Sequence, residues 1–203
     1  MGDNKSVSTT FPRTDKKTLG YSREQVEQFL ALARAAYDAP DDAPDDAPDA
    51  SSGGADGAPL LTAETIRHTA FMMQKGGYSP AQVDAALERL EDAFAARERE
   101  WAARTMGEDA WIEQTHAAAQ VILGRLRRDR GHRFSRTSVF SVGYRRADVD
   151  RLAHRLKKYF QDGRPLGVDE VRTAVFRPER GGYREAQVDA LLDSVIDVML
   201  AVR

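Results

Sequence analysis

Cysteine is absent from this chain of 203 residues, and no apolar run approaches the roughly 20 residues that a membrane-spanning helix needs. Without cysteine the chain forms neither a disulfide nor a zinc-thiolate site. Residues 1–20 also lack the apolar segment of a secretory signal, so we expect neither export nor membrane insertion. These absences favour a cytoplasmic protein.

The charge is nearly balanced in total, at −2, but it is distributed unevenly. Residues 1–124 hold 12 basic against 21 acidic side chains, whereas residues 125–203 hold 18 against 11. The densest basic part is 125–158, and its first half contains Arg125, Arg127, Arg128, Arg130, Arg133 and Arg136. Clustered cations suit an anionic partner, so these six arginines are a candidate binding surface.

A short motif recurs four times along the chain. Each copy holds a Gly-Tyr pair and, five residues after the tyrosine, a valine followed by an acidic residue. The copies are Gly20, Tyr21 and Val26; Gly77, Tyr78 and Val83; Gly143, Tyr144 and Val149; and Gly182, Tyr183 and Val188. Four copies of one motif are typical of a repeat protein.

The second copy shows why the motif predicts the start of a helix. Ser79 suits the N-cap, Pro80 the first helical position and Gln82 the third, where hydroxyl and amide can satisfy unpaired N–H groups of the first turn. The motif tyrosine and valine have the spacing of a hydrophobic staple. We expect the motif glycine, here Gly77, to supply a positive φ, and the acidic residue to interact with the positive end of the helix dipole.

A phenylalanine precedes each copy: Phe11, Phe71, Phe134 and Phe176. It stands ten residues before the tyrosine in the first and third copies, and seven residues before it in the second and fourth. This alternation indicates that the duplicated module contained two motifs, with residues 11–95 and 134–203 as its two copies. We expect a helical hairpin at about 96–130 between them.

The sequence therefore predicts an all-α protein of tandem-duplicated helical modules, with short helix–turn–long helix units and a central helical hairpin. The predicted parts are an N-terminal arm (1–20), a first motif helix (21–37), a disordered acidic linker of Pro, Ala and Asp (38–59), a second motif with the hairpin (60–130) and the second module (131–203). The long helix that begins at the second motif has heptad spacing from Val83 to Trp101, which suits either a coiled coil or an ordinary core-facing helix.

The stretch from Leu61 to Ile66, together with Phe71, Gly77-Tyr78 and Val83-Asp84, resembles the N-terminal domain of DivIVA. The fourfold pattern is similar to the actinobacterial DivIVA-domain repeat proteins, over residues 11–37, 61–95 and 134–200. The resemblance implies a scaffold or adaptor in bacterial cell division or polar growth. Such a protein acts in the cytoplasm, at the septum or cell pole, through coiled-coil or other helix-mediated association with itself or with division and polarity proteins.

In DivIVA, membrane attachment comes from an exposed aromatic residue and an arginine just before the Gly-Tyr turn. The corresponding pairs in this chain are Thr18-Leu19, Lys75-Gly76, Ser141-Val142 and Arg180-Gly181. None combines an aromatic residue with arginine, and a long C-terminal coiled coil is also missing. Weak peripheral contact with an anionic membrane stays among the candidate interactions.

Other functions have less support in the sequence. The four histidines, His68, His116, His132 and His154, lie on different predicted elements without metal-ligand spacing, so we expect no enzyme, cofactor, metal or small-molecule substrate. The alternatives to a scaffold are a soluble cytoplasmic regulator or an electrostatic nucleic-acid-binding protein using the basic segment 125–158. The last is the less favoured, because interleaved aromatic residues are missing.

Overall fold

The computed structural model describes residues 11–39 and 61–202, and most of them are helical. The chain divides into two compact units, an N-terminal unit that ends at Glu98 and a C-terminal unit that begins at Arg99. The boundary falls inside one long helix. The predicted linker, from residue 40 onward, and the first ten residues of the predicted arm lie outside the described residues.

The elements that begin in the N-terminal unit are β1 (Leu19–Tyr21), α1 (Arg23–Asp38), α2 (Ala63–Arg67), β2 (Met73–Lys75) and α3 (Pro80–Met106). Strands β1 and β2 pair antiparallel, with Gly20 opposite Gln74. One core cluster contains Phe11, Val26, Tyr78 and Val83, and a second contains Ala63, Ile66 and Phe94. Phe11, in the predicted N-terminal arm, is therefore part of the core of this unit.

The helix starts of this unit follow the sequence signals. The Ser22 hydroxyl accepts from the Gln25 N–H at 3.5 Å, and Thr62 forms a capping box with Thr65. Helix α3 begins at Pro80, directly after Ser79, as predicted. Val83 and Phe94 of its heptad pattern are buried in the two core clusters of the unit, whereas Trp101 further along is 50% exposed.

The elements of the C-terminal unit are α4 (Glu108–Leu126), β3 (Val142–Tyr144), α5 (Arg146–Asp162), α6 (Val168–Arg172), β4 (Pro178–Arg180) and α7 (Glu185–Ala201). Strands β3 and β4 pair antiparallel, with Gly143 opposite Glu179. Helix α5 buries Val149, Leu152 and Leu156, which follow at helical spacing, and it ends at Gly163 in the left-handed conformation. Helix α7 packs on α4 and α6, and α4 also packs on α5.

Three features differ from the sequence prediction. The all-α assignment missed the two small sheets, because strands of three residues are too short to show an alternating pattern. Helix α4 packs mainly on α5 and α7, and not as a hairpin on α3. The two compact units divide after Glu98, within α3, whereas the prediction placed boundaries at residues 60 and 131.

Candidate functional site

The four motifs meet in two pairs, which we name crossings. In the N-terminal crossing, Gly20–Tyr21 lies across Gly77–Tyr78, and in the C-terminal crossing Gly143–Tyr144 lies across Gly182–Tyr183. Tyr21 and Tyr78 each donate the backbone N–H to the other's carbonyl oxygen, both at 2.9 Å. The two tyrosines of the C-terminal crossing exchange the same pair of bonds, at 3.0 and 2.9 Å. Each crossing thus joins the starts of two helices.

The motif glycines allow the two backbones to approach. A Cβ on Gly77 would lie 2.4 Å from the Tyr21 carbonyl oxygen, and one on Gly143 would lie 2.2 Å from that of Tyr183. The expected positive φ at Gly77 is wrong. In the second and fourth copies the positive φ belongs to the residue before the motif glycine, Gly76 at 65° and Gly181 at 64°.

Aromatic contacts join each motif to the other member of its pair. Phe11 of the first motif packs edge-on against Tyr78 of the second, with ring centroids 5.5 Å apart, and Phe71 packs against Tyr21 at the same distance. In the C-terminal crossing the distances are 5.2 Å for Phe134 with Tyr183 and 5.0 Å for Tyr144 with Phe176. The tyrosines are therefore more than local staples, because each also packs across the crossing.

The motif carboxylates also contact the other motif of their crossing. The Tyr78 hydroxyl donates to Glu27 at 2.5 Å, and this bond, with burial, raises the pKa of Tyr78. Burial and Asp84 raise the pKa of Tyr21 in the same crossing. The recurring acidic position thus has a specific partner, the tyrosine of the other motif, which the interaction expected with the helix dipole does not explain.

Asp150 has the most buried environment of the motif carboxylates. Its oxygens accept from Arg133 Nη1 at 2.5 Å, from the Gly131 N–H at 2.9 Å and from the Tyr183 hydroxyl at 3.2 Å. Arg133 also donates Nε to the Leu126 carbonyl at 3.1 Å and is 6% exposed. This guanidinium is therefore part of the C-terminal crossing and is not part of an exposed basic surface.

The third helical position has a different role from the predicted cap. The Gln25 side chain accepts from the backbone N–H of Met72 at 2.8 Å, and Gln187 accepts from that of Ser135 at 2.9 Å. Asp148 accepts from the backbone and the guanidinium of Arg177, with Nη2 at 2.6 Å. These side chains hold neighbouring chain segments against the helix starts.

The contact between Asp148 and Arg177 predicts that the stability of the C-terminal unit depends on pH. The N-terminal unit has Gln25, which does not titrate, at the same helical position. The Arg177 guanidinium lowers the pKa of Asp148 from 3.8 to about 2. Because the folded pKa is depressed, the stabilisation is present above pH 3.8 and is lost as the pH falls through about 2. We expect the unfolding free energies of the parent chain and Asp148→Asn, measured by denaturant titration, to converge as the pH falls from 4 to 2. A difference that stays constant over this range contradicts the assignment.

One tyrosine of each crossing is engaged within the fold. Tyr78 and Tyr183 are buried, and their hydroxyls are bonded to carboxylates. Within residues 11–39 and 61–202, no cluster of three or more histidine and carboxylate side chains could hold a metal ion. This geometry suits a structural joint that fixes the angle between helices.

The remaining candidate arginines lie around the loop from α4 to the crossing. Arg125 stacks over the Phe134 ring at 5.8 Å, and Arg136 donates to the Gly131 carbonyl at 3.2 Å. Arg127, Arg128 and Arg130 are exposed. The structure thus separates Arg133, which is buried, from its exposed sequence neighbours.

An open apolar groove of about 770 Å³ lies in the C-terminal unit. The last turns of α3 contribute to it, together with α4 and the C-terminal ends of α5 and α7. Its apolar lining includes Trp111, Ile112, Tyr159, Phe160, Val198 and Val202, and its charged lining includes Arg99, Glu100 and Glu108. Sequence reasoning missed this groove, because it forms only where α3, α4, α5 and α7 come together.

Exposed apolar side chains also occupy the turn at residues 138–141. Phe140 is 90% exposed, Val139 is exposed beside it, and Val142 follows on β3 opposite Arg180. Phe140 directly precedes Ser141-Val142, the pair that corresponds to the membrane-attaching residues of DivIVA. The turn therefore places an exposed aromatic residue near an arginine that comes from another motif.

No described helix is long and apolar enough to cross a membrane. Four structural features are candidates for a function: the two crossings, the apolar groove, the exposed cations and the apolar turn at 138–141. Comparison with protein-family models, with curated proteins and with solved structures gave no match to this chain.

Proposed function

We propose that this protein is a non-enzymatic scaffold or adaptor of the DivIVA kind, which acts in bacterial cell division or polar growth through helix-mediated association. The observation that supports this most directly is the open apolar groove of the C-terminal unit. An apolar groove between helices suits an amphipathic helix of a partner.

The two crossings support the same proposal in another way. Each one fixes two helix starts with reciprocal backbone bonds, exchanged aromatic contacts and exchanged tyrosine–carboxylate pairs. We infer that the chain contains a tandem duplication of one two-motif module, since the contacts repeat with equivalent residues. A rigid module without reactive groups presents partner surfaces in a fixed geometry, which is what a scaffold requires.

A second copy of this chain is the partner that the groove fits best. Arg99 at the α3 side and Glu108 at the start of α4 place opposite charges within one groove. In a two-fold arrangement each charge can meet its opposite on the other copy, because such an interface is self-complementary. Ile112, which is 57% exposed, offers an apolar side chain for the same contact.

Self-association through the groove is tested by sedimentation velocity over a wide range of protein concentration. We expect reversible dimers or larger species for the parent chain and a monomer for Ile112→Lys, because a charge in an apolar interface is costly. Val121→Lys is the matched control. Val121 is also an apolar residue of α4, and it is 77% exposed. Because it follows Ile112 by nine residues, it lies on the opposite face of the helix.

The control variant is expected to associate like the parent chain, and circular dichroism must show the same helix content in all three proteins. A parent chain that stays monomeric at every concentration contradicts self-association through the groove and favours the alternative of a soluble regulator. Loss of association in both variants contradicts the assignment to this groove.

Peripheral contact with an anionic membrane is a second candidate, which we place at the 138–141 turn. It is favoured by the exposure of Phe140 and Val139 and by the proximity of Arg180. An aromatic side chain beside a cation suits the interface between lipid headgroups and acyl chains.

A further inference from the structure

Helix α5 has a row of basic side chains on its exposed side. Arg151, His154 and Lys158 follow at intervals of three and four residues and are all exposed. Lys157 lies beside them. Gln161 continues the row. When its side-chain amide is oriented so that both the oxygen and the NH₂ group meet suitable partners, the oxygen accepts from Arg127 Nε at 3.1 Å.

Arg130, from the loop after α4, lies close enough to His154 to affect its titration. Partial burial lowers the pKa of His154, and so do the charges of Lys158, Arg130 and Lys157. Residues of two separate segments therefore converge on one surface. We name it the cationic surface, and it consists of Arg127, Arg130, Arg151, His154, Lys157 and Lys158.

No carboxylate of the described residues lies within 4.0 Å of the lysine and arginine groups of the cationic surface. The nearby Asp150 is already engaged by Arg133. The positive charge is thus available to a partner, while the neighbouring salt bridge serves the fold.

The fold itself does not require these cations. Helix α1 holds the position of α5 in the N-terminal crossing, and its residues Gln28, Ala31 and Ala35 stand where α5 has Arg151, His154 and Lys158. Both helices bury the motif valine and form a tyrosine–carboxylate bond. The charges therefore serve a purpose other than folding.

The arrangement of the cationic surface suits a regular array of phosphates. From Arg151 to Gln161 the helix axis rises about 15 Å, a length over which a DNA duplex carries about nine phosphates. Leu152 and Leu156, which lie between the residues of the row, are buried, whereas Tyr159 and Phe160 near its end line the apolar groove. The six residues of the cationic surface therefore offer no apolar side chain to the acyl chains of a lipid. None of these six residues is phenylalanine, tyrosine or tryptophan, so the surface itself lacks the large aromatic rings on which unpaired bases stack.

We propose that the cationic surface binds the phosphate backbone of a nucleic-acid duplex without reading its base sequence. The exposed apolar turn at 138–141 precedes the N-terminus of α5, whereas the cationic surface consists of α5 residues from Arg151 onward together with Arg127 and Arg130, which follow the end of α4. Contact with a duplex is therefore separate in position from the membrane contact considered for that turn. Duplex binding goes beyond the scaffold function proposed above, which involves protein partners.

Fluorescence anisotropy with a labelled DNA duplex of arbitrary sequence tests the proposal. At low salt we expect saturable binding of the full chain, and the logarithm of the association constant should fall with the logarithm of salt concentration with a slope of about −4 to −5. This slope corresponds to about five phosphates neutralised by the lysines and arginines of the surface.

The test variant is Arg130→Gln/Lys157→Gln/Lys158→Gln, which removes three charges without changing the packed side of α5. We expect affinity at low salt to fall at least about tenfold and the slope to weaken by about 2.7. The matched control is Lys16→Gln/Lys17→Gln/Arg34→Gln, which removes three exposed cations from the N-terminal unit. We expect the control to bind almost like the parent chain.

His154 supplies a readout at the surface itself. Bound phosphates offset the surrounding cations, so the pKa of His154, measured by NMR, should rise when the duplex is added. Three results would overturn the proposal: no duplex binding at low salt, equal losses in variant and control, or duplex binding without a change at His154. Binding to vesicles of anionic phospholipid in the absence of duplex binding would overturn it in favour of a membrane surface.

Discussion

Gly143→Ala should lower the unfolding free energy of the C-terminal unit by about 3 kcal/mol or more, at or above the upper end of ordinary overpacking. The added Cβ would lie 2.2 Å from the Tyr183 carbonyl oxygen and 2.9 Å from Thr137 Cγ2. The first of these neighbours is backbone, which cannot rotate away as a side chain can. To make room, the crossing must open and weaken the reciprocal bonds between Tyr144 and Tyr183.

Gly124→Ala is the matched control for this prediction. Gly124 lies inside α4 of the same unit, and nothing stands within 4 Å of its added Cβ. Alanine in an exposed helix interior should stabilise by about 0.5–1 kcal/mol. Denaturant unfolding of both variants measures the two changes. Similar effects for the two substitutions would contradict the close backbone approach at the crossing.

The glycine result shows where sequence reasoning reached its limit. Glycine is favoured both by positive φ and by close backbone contact, and the sequence alone does not distinguish the two causes. The pair Gly76-Gly77 contains one of each: Gly76 has φ 65°, and Gly77 meets the backbone of Tyr21. The prediction was wrong for Gly77 because the partner strand comes from a distant part of the sequence.

Local signals were enough to predict most helices. The caps at Ser22 and Thr62 and the proline at position 80 fix helix starts through contacts within a few residues. The exchange of tyrosine–carboxylate partners could not be predicted in this way. Tyr78 and Glu27 are separated by 51 positions, and each stands in a motif that already explains its presence by a local role.

The basic segment illustrates a similar limit at the candidate site. Arg130 and Arg133 have the same charge and almost the same position in the sequence, yet the first is exposed and the second is buried. One local signal was present, because Arg133 directly precedes Phe134, whose aromatic ring marks the approach of the chain to the core. The groove had no such signal, since it depends on the relative placement of four helices.

The substitution Arg133→Ala should destabilise the C-terminal unit by about 3–5 kcal/mol. It leaves the carboxylate of Asp150, which is 8% exposed, without its cation and removes the bond from Nε to the Leu126 carbonyl. Arg136→Ala is the control, since Arg136 is exposed and donates only to the Gly131 carbonyl among the described contacts. It should change the unfolding free energy by no more than about 0.5 kcal/mol.

The double variant Arg133→Met/Asp150→Leu separates loss of packing from burial of an unpaired charge. Replacing both partners removes the lone carboxylate and keeps apolar volume in the crossing, so we expect it to be more stable than Arg133→Ala. The Tyr183 hydroxyl still meets the Arg133 backbone N–H, at 3.4 Å, and keeps one partner. Denaturant unfolding should rank the double variant above the single one. If it is less stable than Arg133→Ala, the charged pair holds the crossing by its own attraction, and an unpaired charge is not the main cost.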